Sequence, residues 1–455
     1  MRKYFGTDGI RKIANTELTP ELVYRVSKAG AYVLSKHLNH KNPTILIGRD
    51  TRISGTLIES AMTAGFLSYG ANVKLLGVMP TPAVAYLTKE LKADASVVIS
   101  ASHNSYEFNG IKFFSNLGMK ISDEIEEEIE QVMDSDKMKE LSAENDKIGV
   151  SEDGSELIEK YIQMLINNFG ETIEKHNRSD FKVAVDVSNG ATYQAAEEVF
   201  KRLGINYKII NNNPDGININ HKCGSTHLDE LKKFVVENGM TIGIAYDGDG
   251  DRCLAIDEKG NLVDGDALIA VFSKYLQEKG KLKNNTLVAT IMSNLGLAKF
   301  AEENNLTLKQ TKVGDRYVLE EMLKGGYVIG GEQSGHIIML DHNPTGDGIL
   351  TSLMLIQILL EKNVSISKLC DIIKIYPQVL INAKVDGSKK NEYLSNEKIK
   401  NKIEEVEKAF SENGRVVIRP SGTEPSIRVM IEGEDIEYME KKAKELAELI
   451  EEELS

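Results

Sequence analysis

The feature that most restricts the fold is a repeated alternation of short aliphatic runs with helix-like segments. The aliphatic runs lead into polar loops and lie at Thr44–Ile47, Ser96–Ile99, Phe181–Val187, Thr241–Tyr246, Thr286–Met292 and Tyr327–Ile329. Such runs are typical of buried strands in parallel sheets. Helix-like segments lie between them, at Pro20–His37, Leu57–Tyr69, Ala191–Leu203 and Gly265–Gln277. We therefore predict an α/β fold with ligands at the carboxyl ends of the strands.

The length of the chain requires several domains. It has 455 residues, whereas one domain usually takes roughly 100–200 residues. Charged or turn-forming segments at Met133–Val150, Asp257–Gly260 and Lys362–Pro377 suggest where the domains meet. We accordingly predict domains at 1–150, 151–257, 258–370 and 371–455.

The last predicted domain differs from the other three. Strand-like Gln378–Val385 and Val416–Ile418 precede a final helix, and no strand and helix units alternate there. This helix is predicted to carry one apolar face, made of Ile436, Met439, Ala443, Leu446 and Ile450. That spacing is typical of a helix packed on a sheet, so we expect a smaller α+β domain.

Charge and cysteine content exclude several classes of protein. The formal net charge of −14 argues against a nucleic-acid binder, which needs a basic surface. Cys223, Cys253 and Cys370 are widely spaced and form no C-x-x-C pair, so a reducing compartment is expected. The N-terminus has no apolar signal-peptide region, and no stretch reaches about 18 apolar residues. We expect a cytoplasmic protein without a membrane partner.

An acidic loop, Asp247-Gly248-Asp249-Gly250-Asp251-Arg252, predicts a cation site. Two like charges about 4 Å apart repel by roughly 4 kcal/mol at an effective dielectric near 20. Arg252 stands where the sixth position of an EF-hand loop needs glycine, and the flanks are strand-like, so a calcium loop is disfavoured. Hard oxygen ligands favour Mg²⁺, with a phosphate oxygen completing the shell.

Three further loops carry groups suited to a phosphorylated sugar. Ser102, His103 and Asn104 follow a strand and combine a hydroxyl with groups that favour anions, although alone they also suit a helix cap. The Gly331–His336 loop presents a carboxylate, a hydroxyl and an imidazole, as polyol recognition requires. Near the C-terminus, Arg419–Pro425 together with Arg428 supplies guanidinium groups and a glycine, which match a phosphate dianion.

Together these loops resemble the α-D-phosphohexomutase family along essentially the whole chain. The resemblance also includes Phe5–Arg11, Gly48–Arg52 and Asn109–Lys112. It implies four domains around a central cleft, with mixed or parallel sheets flanked by helices in three of them and a C-terminal α+β lid.

The resemblance assigns roles to residues of each loop. It implies that Ser102 is the phosphoserine and that Asp247, Asp249 and Asp251 bind one Mg²⁺ with it. Arg11, Lys112 and Arg252 match cleft residues that support phosphoryl transfer. The sugar would contact Glu332, Ser334 and His336, and the non-reacting phosphate would contact Arg419, Ser421, Gly422, Thr423 and Arg428. His103, Lys112 and His336 stay open as candidates for the general base.

Smaller signatures concern the substrate. Gln333, Cys223–Thr226 and Val313–Tyr317 look more like the branch that acts on glucosamine phosphates than like phosphoglucomutases or phosphomannomutases. That likeness implies interconversion of glucosamine 6-phosphate and glucosamine 1-phosphate, which supplies UDP-N-acetylglucosamine synthesis. The intermediate would be a 1,6-bisphosphate, and glucosamine or glucose 1,6-bisphosphate would act as activator. A homodimer is compatible with the resemblance.

Two positions depart from the family pattern, and two alternative functions stay open. Ser105 stands where proline is usual, which leaves the nucleophile loop less restricted in φ, and Lys12 stands where glycine is common. Neither change removes a ligand or a nucleophile. The alternatives are a phosphoglucomutase or phosphomannomutase, and a non-catalytic sugar-phosphate sensor.

Overall fold

The computed structural model describes residues 3–6, 8–411, 414–421 and 425–455. Successive segments of the chain form four sheets, three of which are mixed and covered by helices, as the sequence predicted. None of the helices in the described part of the chain combines the length and hydropathy needed to cross a bilayer.

The first sheet has the strand order β1-β5-β4-β2-β3-β6. Its strands are β1 Ile10–Ile13, β2 Thr44–Arg49, β3 Asn72–Val78, β4 Ala95–Ile99, β5 Phe108–Ser115 and β6 Ser151–Asp153. Its helices are α1 Pro20–Leu38, α2 Gly55–Tyr69, α3 Thr81–Glu90 and α4 Asp123–Met133. Strands β2, β3, β4 and β6 run parallel, so the loops after β2, β3 and β4 open at one edge.

The second sheet has the order β11-β10-β9-β7-β8. Its strands are β7 Lys182–Asp186, β8 Asn206–Ile210, β9 Ile242–Tyr246, β10 Cys253–Ile256 and β11 Leu262–Val263. The helices beside it are α5 Ile158–His176, α6 Tyr193–Arg202 and α7 Asp229–Glu237. Strands β9 and β10 are antiparallel neighbours, so the acidic loop is the turn between two fully buried strands.

The third sheet has the order β13-β12-β14-β15. Its strands are β12 Thr286–Thr290, β13 Thr307–Thr311, β14 Ile329–Gly331 and β15 Ile337–Met339. Its helices are α8 Gly265–Glu278, α9 Leu295–Glu303, α10 Asp315–Gly325, α11 Gly348–Lys362 and α12 Ile366–Cys370. The segment between β14 and β15 is the predicted sugar-recognition loop.

The C-terminal segment forms a separate antiparallel sheet with the order β16-β18-β17. Its strands are β16 Gln378–Lys384, β17 Arg415–Pro420 and β18 Ser426–Glu432, and its helices are α13 Glu397–Ala409 and α14 Ile436–Leu454. Four of the five residues predicted on the apolar face of α14 are buried. The exception is Ile436, which is half exposed because it occupies the first position of the helix.

Packing joins the first three sheets more closely than the fourth. One continuous buried cluster includes Leu46 of β2, Tyr161 of α5 and Leu353 of α11. The C-terminal sheet and its helices have their own cluster, which includes Val429 and Leu446. Their link to the third sheet is polar, and Arg415 Nη2 donates to the carbonyl oxygen of Ser293 at 2.6 Å.

Candidate active site

The loop after β4 brings Ser102 against the acidic loop of the next sheet. The hydroxyl of Ser102 donates to Asp247 Oδ2 at 2.6 Å, although the two residues are 145 positions apart. Its Oγ also lies 3.3 Å from His103 Nδ1. Ser102 is buried and has a φ of 51°, a left-handed conformation that is uncommon for residues other than glycine. The predicted phosphoserine and the predicted metal loop therefore meet.

Glycine at position 248 makes this close approach possible. A Cβ at Gly248 would lie 2.5 Å from the carbonyl oxygen of Ser102 and 2.7 Å from Asn220 Nδ2. Gly250 has a φ of 74°, and a Cβ there would lie 2.4 Å from Thr192 Cγ2. The two glycines between the aspartates therefore allow the turn to form and also leave room for the neighbouring loops to approach it closely.

The three aspartates form a buried carboxylate cluster. Asp247, Asp249 and Asp251 each offer an oxygen, and these oxygens lie within 4.8 Å of one another. The Oδ1 atoms of Asp249 and Asp251 are buried and find no hydrogen-bond partner among the described residues. Burial, Asp251 and Asp249 raise the pKa of Asp247 well above its usual value. Carboxylates that repel one another and keep unused oxygens fit a divalent metal ion.

Lys112 and His336 flank the carboxylate cluster. Lys112 Nζ lies 3.0 Å from Asp249 Oδ2 and 3.8 Å from Asp251 Oδ2. Burial alone would lower the pKa of the Lys112 ammonium group. The negative charges of Asp249 and Asp8 outweigh the effect of burial, so the pKa is raised. His336 Nδ1 lies 3.5 Å from Asp251 Oδ2, and the backbone N–H of Gly346 donates to Nε2 at 3.1 Å. This bond places the ring proton on Nδ1.

A network of alternating charges extends from this cluster along the cleft. Asp8 Oδ2 accepts from Arg11 Nη2 at 2.9 Å and lies 3.2 Å from Lys112 Nζ. Lys120 Nζ donates to Asp8 Oδ1 and, at 2.7 Å, to Asp315 Oδ2. His336 Nε2 lies 3.5 Å from the same Asp315 oxygen. These contacts form a closed ring, whose members in order are Asp251, Lys112, Asp8, Lys120, Asp315 and His336, which contacts Asp251 again.

The cleft beside this network has a volume of about 860 Å³. Its walls include Asp8, Arg11, His103, Lys120, Asp251, Arg252, Gly314, Asp315, Glu332 and His336. The backbone N–H of Arg252 donates to Asp247 Oδ1 at 3.1 Å, while its buried side-chain Nε lies 3.9 Å from Asp251 Oδ1 and has no hydrogen-bond partner among the described residues. Burial and the cations Arg252 and Arg11 lower the pKa of His103 to about 4. The cleft therefore offers a neutral imidazole beside Ser102.

The sugar-recognition loop contributes two of its three predicted side chains to the cleft wall. Glu332 and His336 line the cavity, whereas Ser334 does not, although its Oγ is buried without a hydrogen-bond partner within residues 3–6, 8–411, 414–421 and 425–455. Glu332 Oε1 accepts from the backbone N–H of Gly314 at 3.2 Å. Burial and the nearby Asp315 carboxylate raise the pKa of Glu332. Two carboxylates of the third segment therefore face the same space.

The predicted phosphate loop is described in part. Arg419 of β17 and Arg428 of β18 stand opposite each other across the two strands, and the Nε of each is buried with no hydrogen-bond partner in the part of the chain that the structure describes. Burial and Arg428 lower the pKa of Arg419, and the Glu332 carboxylate opposes this effect. The backbone N–H of Ser421 donates to the carbonyl oxygen of Ser426 at 2.8 Å. Gly422 and Thr423 lie outside the described residues.

Several residues around the site had no role in the sequence analysis. Asp8 and Asp315 belong to the motifs Phe5–Arg11 and Val313–Tyr317. Their membership of these motifs was the only indication in the sequence that they lie near the site. Lys120 gave no signal. Thr81, at the start of α3, donates from Oγ1 to Asp249 Oδ2 at 2.9 Å. Arg52 donates to backbone carbonyls of the Ser102 loop, including that of Ser102 itself at 3.0 Å.

Comparisons with known proteins agree with this geometry. Family models for phosphoglucomutase/phosphomannomutase match the chain in order, namely alpha/beta/alpha domain I at 2–140, domain II at 159–260, domain III at 264–376 and the C-terminal domain at 380–449. The phosphoglucosamine mutase of Acetivibrio thermocellus is 51% identical over 454 residues, with 100% of both chains covered. That of Clostridium acetobutylicum is 51% identical over 453 residues, with 99% of both covered.

Solved structures share the fold at lower identity. A phosphoglucomutase/phosphomannomutase family protein from Burkholderia thailandensis is 19% identical and superposes with a TM-score of 0.80, covering 99% of this chain and 97% of that one. N-acetylphosphoglucosamine mutase from Aspergillus fumigatus, in complex with GlcNAc-6P and magnesium, is 18% identical with a TM-score of 0.69, covering 100% and 96%. With four domain models matched in order and full-length relatives at half identity, the chain belongs to the phosphoglucomutase/phosphomannomutase family, the α-D-phosphohexomutases that its motifs resemble.

Proposed function

We propose that this mutase interconverts glucosamine 6-phosphate and glucosamine 1-phosphate, with Ser102 as the covalent phosphate carrier. The contact between Ser102 Oγ and Asp247 Oδ2 at 2.6 Å carries the proposal, because it places a hydroxyl at a buried carboxylate cluster beside a cleft. The name phosphoglucosamine mutase, shared by the full-length relatives, supports the choice of substrate.

The proposed reaction has two phosphoryl transfers. In the first, the bond between phosphorus and Ser102 Oγ breaks while a bond forms to the 1-hydroxyl oxygen of glucosamine 6-phosphate. The hydroxyl proton passes to a cleft base, and the product is a bound 1,6-bisphosphate. After the bisphosphate reorients, the bond between phosphorus and the sugar 6-oxygen breaks while a bond forms to Ser102 Oγ. The protonated base returns its proton to the 6-oxygen, and glucosamine 1-phosphate leaves. A 1,6-bisphosphate of glucosamine or glucose would phosphorylate Ser102 at the start and so act as activator.

The carboxylate cluster would hold one Mg²⁺. Asp247, Asp249 and Asp251 would supply protein oxygens, and a phosphate oxygen on Ser102 would complete the set. When bound, the ion neutralises negative charge on the group being transferred. The protein itself keeps Lys112 and Arg252 beside the cluster, and their positive charges stabilise the same group by electrostatics.

Among the three candidates for the general base, we propose His103. Lys112 is surrounded by carboxylates that keep it protonated, so it has no free pair to accept a proton. His336 Nε2 already accepts from Gly346, and Nδ1 carries the proton that faces Asp251. His103 lines the cleft, and its Nδ1 lies 3.3 Å from Ser102 Oγ.

Arg419 and Arg428 are proposed to hold the phosphate that is not reacting, together with the loop at Ser421, Gly422 and Thr423. Burial and the neighbouring Arg428 guanidinium lower the pKa of Arg419, and a phosphate dianion would relieve the repulsion between the two guanidinium groups. This anchor belongs to the last of the proposed domains, 1–150, 151–257, 258–370 and 371–455.

Removing one guanidinium of this anchor should weaken substrate binding. For Arg419→Gln we expect KM for glucosamine 6-phosphate to rise by about 10- to 100-fold, because a hydrogen bond to a charged group contributes roughly 1.5–3 kcal/mol. Steady-state kinetics measures the change. Lys441→Gln is the matched control, since Lys441 is exposed on α14. A KM unchanged in Arg419→Gln would contradict the assignment of this arginine.

Two carboxylates are proposed to select the 2-amino sugar. Glu332 and Asp315 both line the cleft and are close enough for Asp315 to raise the pKa of Glu332. A protonated amino group at C2 of the substrate would lie between two negative charges, whereas a hydroxyl would gain much less. His336, which lines the cleft, would contact the remaining hydroxyl groups of the sugar.

This selection gives the test of the proposed substrate. Wild-type kcat/KM should be highest for glucosamine 6-phosphate when it is compared with glucose 6-phosphate and mannose 6-phosphate. Asp315→Asn should reduce the glucosamine-to-glucose ratio by about 10-fold or more, because it removes a charged partner. Glu320→Gln, an exposed change in the same helix α10, should leave the ratio as it is. Dominant activity on glucose or mannose phosphate would overturn the substrate, and no turnover after bisphosphate treatment would indicate a sensor.

A further inference from the structure

The guanidinium group of Arg52 lies directly beneath the Ser102 loop. Its side chain is fully buried, and Nε donates to Asp50 Oδ2 at 2.8 Å. The two terminal nitrogens donate to backbone carbonyl oxygens of one turn: Ser102 at 3.0 Å, Asn104 at 2.8 Å, Phe108 at 3.0 Å, and Ser105. A planar group with five N–H donors suits this task, since a single point charge would reach fewer acceptors.

A second donor reaches the same turn from the neighbouring sheet. Asn220, in the segment that follows β8, is buried, and its Nδ2 donates to the carbonyl oxygens of Ser102 at 2.8 Å and Asn104 at 3.0 Å. Its backbone N–H donates to the carbonyl of Ser188 at 2.9 Å, which fixes Asn220 to the loop after β7. The carbonyls of Ser102 and Asn104 are therefore held from two sides.

These bonds oppose the conformational preference of Ser102. A residue with a side chain rarely takes a φ of 51°, and it persists there only when surrounding contacts require it. Without the donors, the buried carbonyls would lose their partners and the turn would relax toward ordinary φ values. The Oγ atom would then move away from Asp247.

We propose that Arg52 and Asn220 together are positioning residues that hold the Ser102 loop in the conformation required for phosphoryl transfer. The inference rests on the proposed role of Ser102. Both residues act on the backbone and leave Oγ free, so they hold the loop equally before and after the phosphoryl group departs. Asn220 also contacts the acidic loop, because a Cβ on Gly248 would lie 2.7 Å from its Nδ2. It thereby sets the distance between the nucleophile and the metal ligands.

A single-turnover experiment tests this proposal. Enzyme phosphorylated on Ser102 is mixed with glucosamine 6-phosphate, and loss of phosphoserine is followed by rapid quench. For Asn220→Ala we expect the rate constant to fall by about 100-fold, since a displacement near 1 Å can cost that much. For Arg52→Lys the rate constant should fall by at least the same factor. The rate constant is independent of how much protein is folded, which affects only the amplitude.

Matched controls lie in the same segments. Asn218→Ala makes the same chemical change two positions before Asn220, but Asn218 is half-buried and its Nδ2 donates to the carbonyl oxygen of Asn213 at 3.0 Å. Arg49→Lys makes the same chemical change three positions before Arg52, but Arg49 is the last residue of β2 and pairs with Glu59 at 3.3 Å. Both controls should stay within about 2-fold of the wild type.

The outcomes separate the two proposals. A wild-type rate constant in Asn220→Ala, with or without reduced amplitude, would mean that the contacts only support folding, and it would overturn the inference. An equal loss in Asn218→Ala would do the same. If wild-type phosphoserine 102 itself fails to transfer, the proposed function fails instead. If Arg52→Lys does not fold, the comparison of Asn220 with Asn218 decides alone.

Discussion

Ser102→Ala is expected to abolish mutase activity, with a loss of about 10⁴-fold or more. The reason is that the hydroxyl is the covalent carrier, and no neighbouring group can take its place at Asp247. Conversion of glucosamine 6-phosphate, measured in the presence of a 1,6-bisphosphate activator, checks the rate. Intact-protein mass spectrometry should also find no phosphate on the variant after treatment with the bisphosphate.

The control for this variant is Ser105→Ala in the same loop. The Ser105 side chain lies three positions further on and is exposed, so the activity of Ser105→Ala should stay within about 2-fold of the wild type. Near-normal turnover in Ser102→Ala would exclude the phosphoserine mechanism. A phosphate found on the variant would point to a different carrier residue.

Asp247→Asn is expected to separate the effect of the metal from the stability of the protein. The change is nearly isosteric and removes one of three buried charges whose oxygens lie within 4.8 Å. Burial and the other aspartates raise the pKa of Asp247 in the folded state. In the metal-free enzyme the free energy of unfolding therefore falls as the pH rises from the unfolded-state pKa of Asp247 to its higher folded-state pKa, because Asp247 loses its proton more readily in the unfolded chain. At neutral pH the metal-free variant should melt at the same temperature as the wild type or higher.

The same variant should lose its response to Mg²⁺. A ligand at 100 times its Kd stabilises the folded state by about 2.7 kcal/mol. The free energy of unfolding of the wild-type enzyme should therefore rise by this amount when Mg²⁺ is added to 100 times its Kd. Asp247→Asn should gain little and should lose activity by about 10³-fold, because several kcal/mol of charge neutralisation is removed. Thermal melts with and without Mg²⁺ provide the measurement, with the exposed Asp215→Asn as control. A full Mg²⁺ response in Asp247→Asn would exclude the site.

Local pattern was sufficient for much of the architecture. The aliphatic run at Thr44–Ile47 lies within β2, and the run at Thr241–Tyr246 begins one residue before β9 and ends with it. The helices predicted at Pro20–His37 and Gly265–Gln277 match α1 and α8 to within one residue at each end. The strand predicted at Tyr327–Ile329 lies later, at Ile329–Gly331, because glycines gave no aliphatic signal there. The apolar face of α14 was correct except at Ile436.

The acidic loop was also readable from sequence, since spacing alone brings three carboxylates into one turn. The Ser102 loop was not, because a serine beside histidine and asparagine is equally a helix cap. Arg52 lay in a motif quoted for the resemblance, but its bonds to the Ser102 loop were not foreseen. Asn220 and Lys120 were missed for a shared reason. Their partners lie far along the chain, as in the bond from Asn220 to Ser102, which spans 118 residues.

By itself the sequence determined the strands, the helices and the chemical groups that each loop carries, because hydrophobic period and turn residues act over a few neighbours. Only the tertiary structure decided that the Ser102 loop meets the acidic loop, that Lys112 is enclosed by carboxylates and that Ser102 takes a left-handed φ. These features depend on distances between loops of different sheets. The packing of the sheets sets those distances, and no local pattern encodes them.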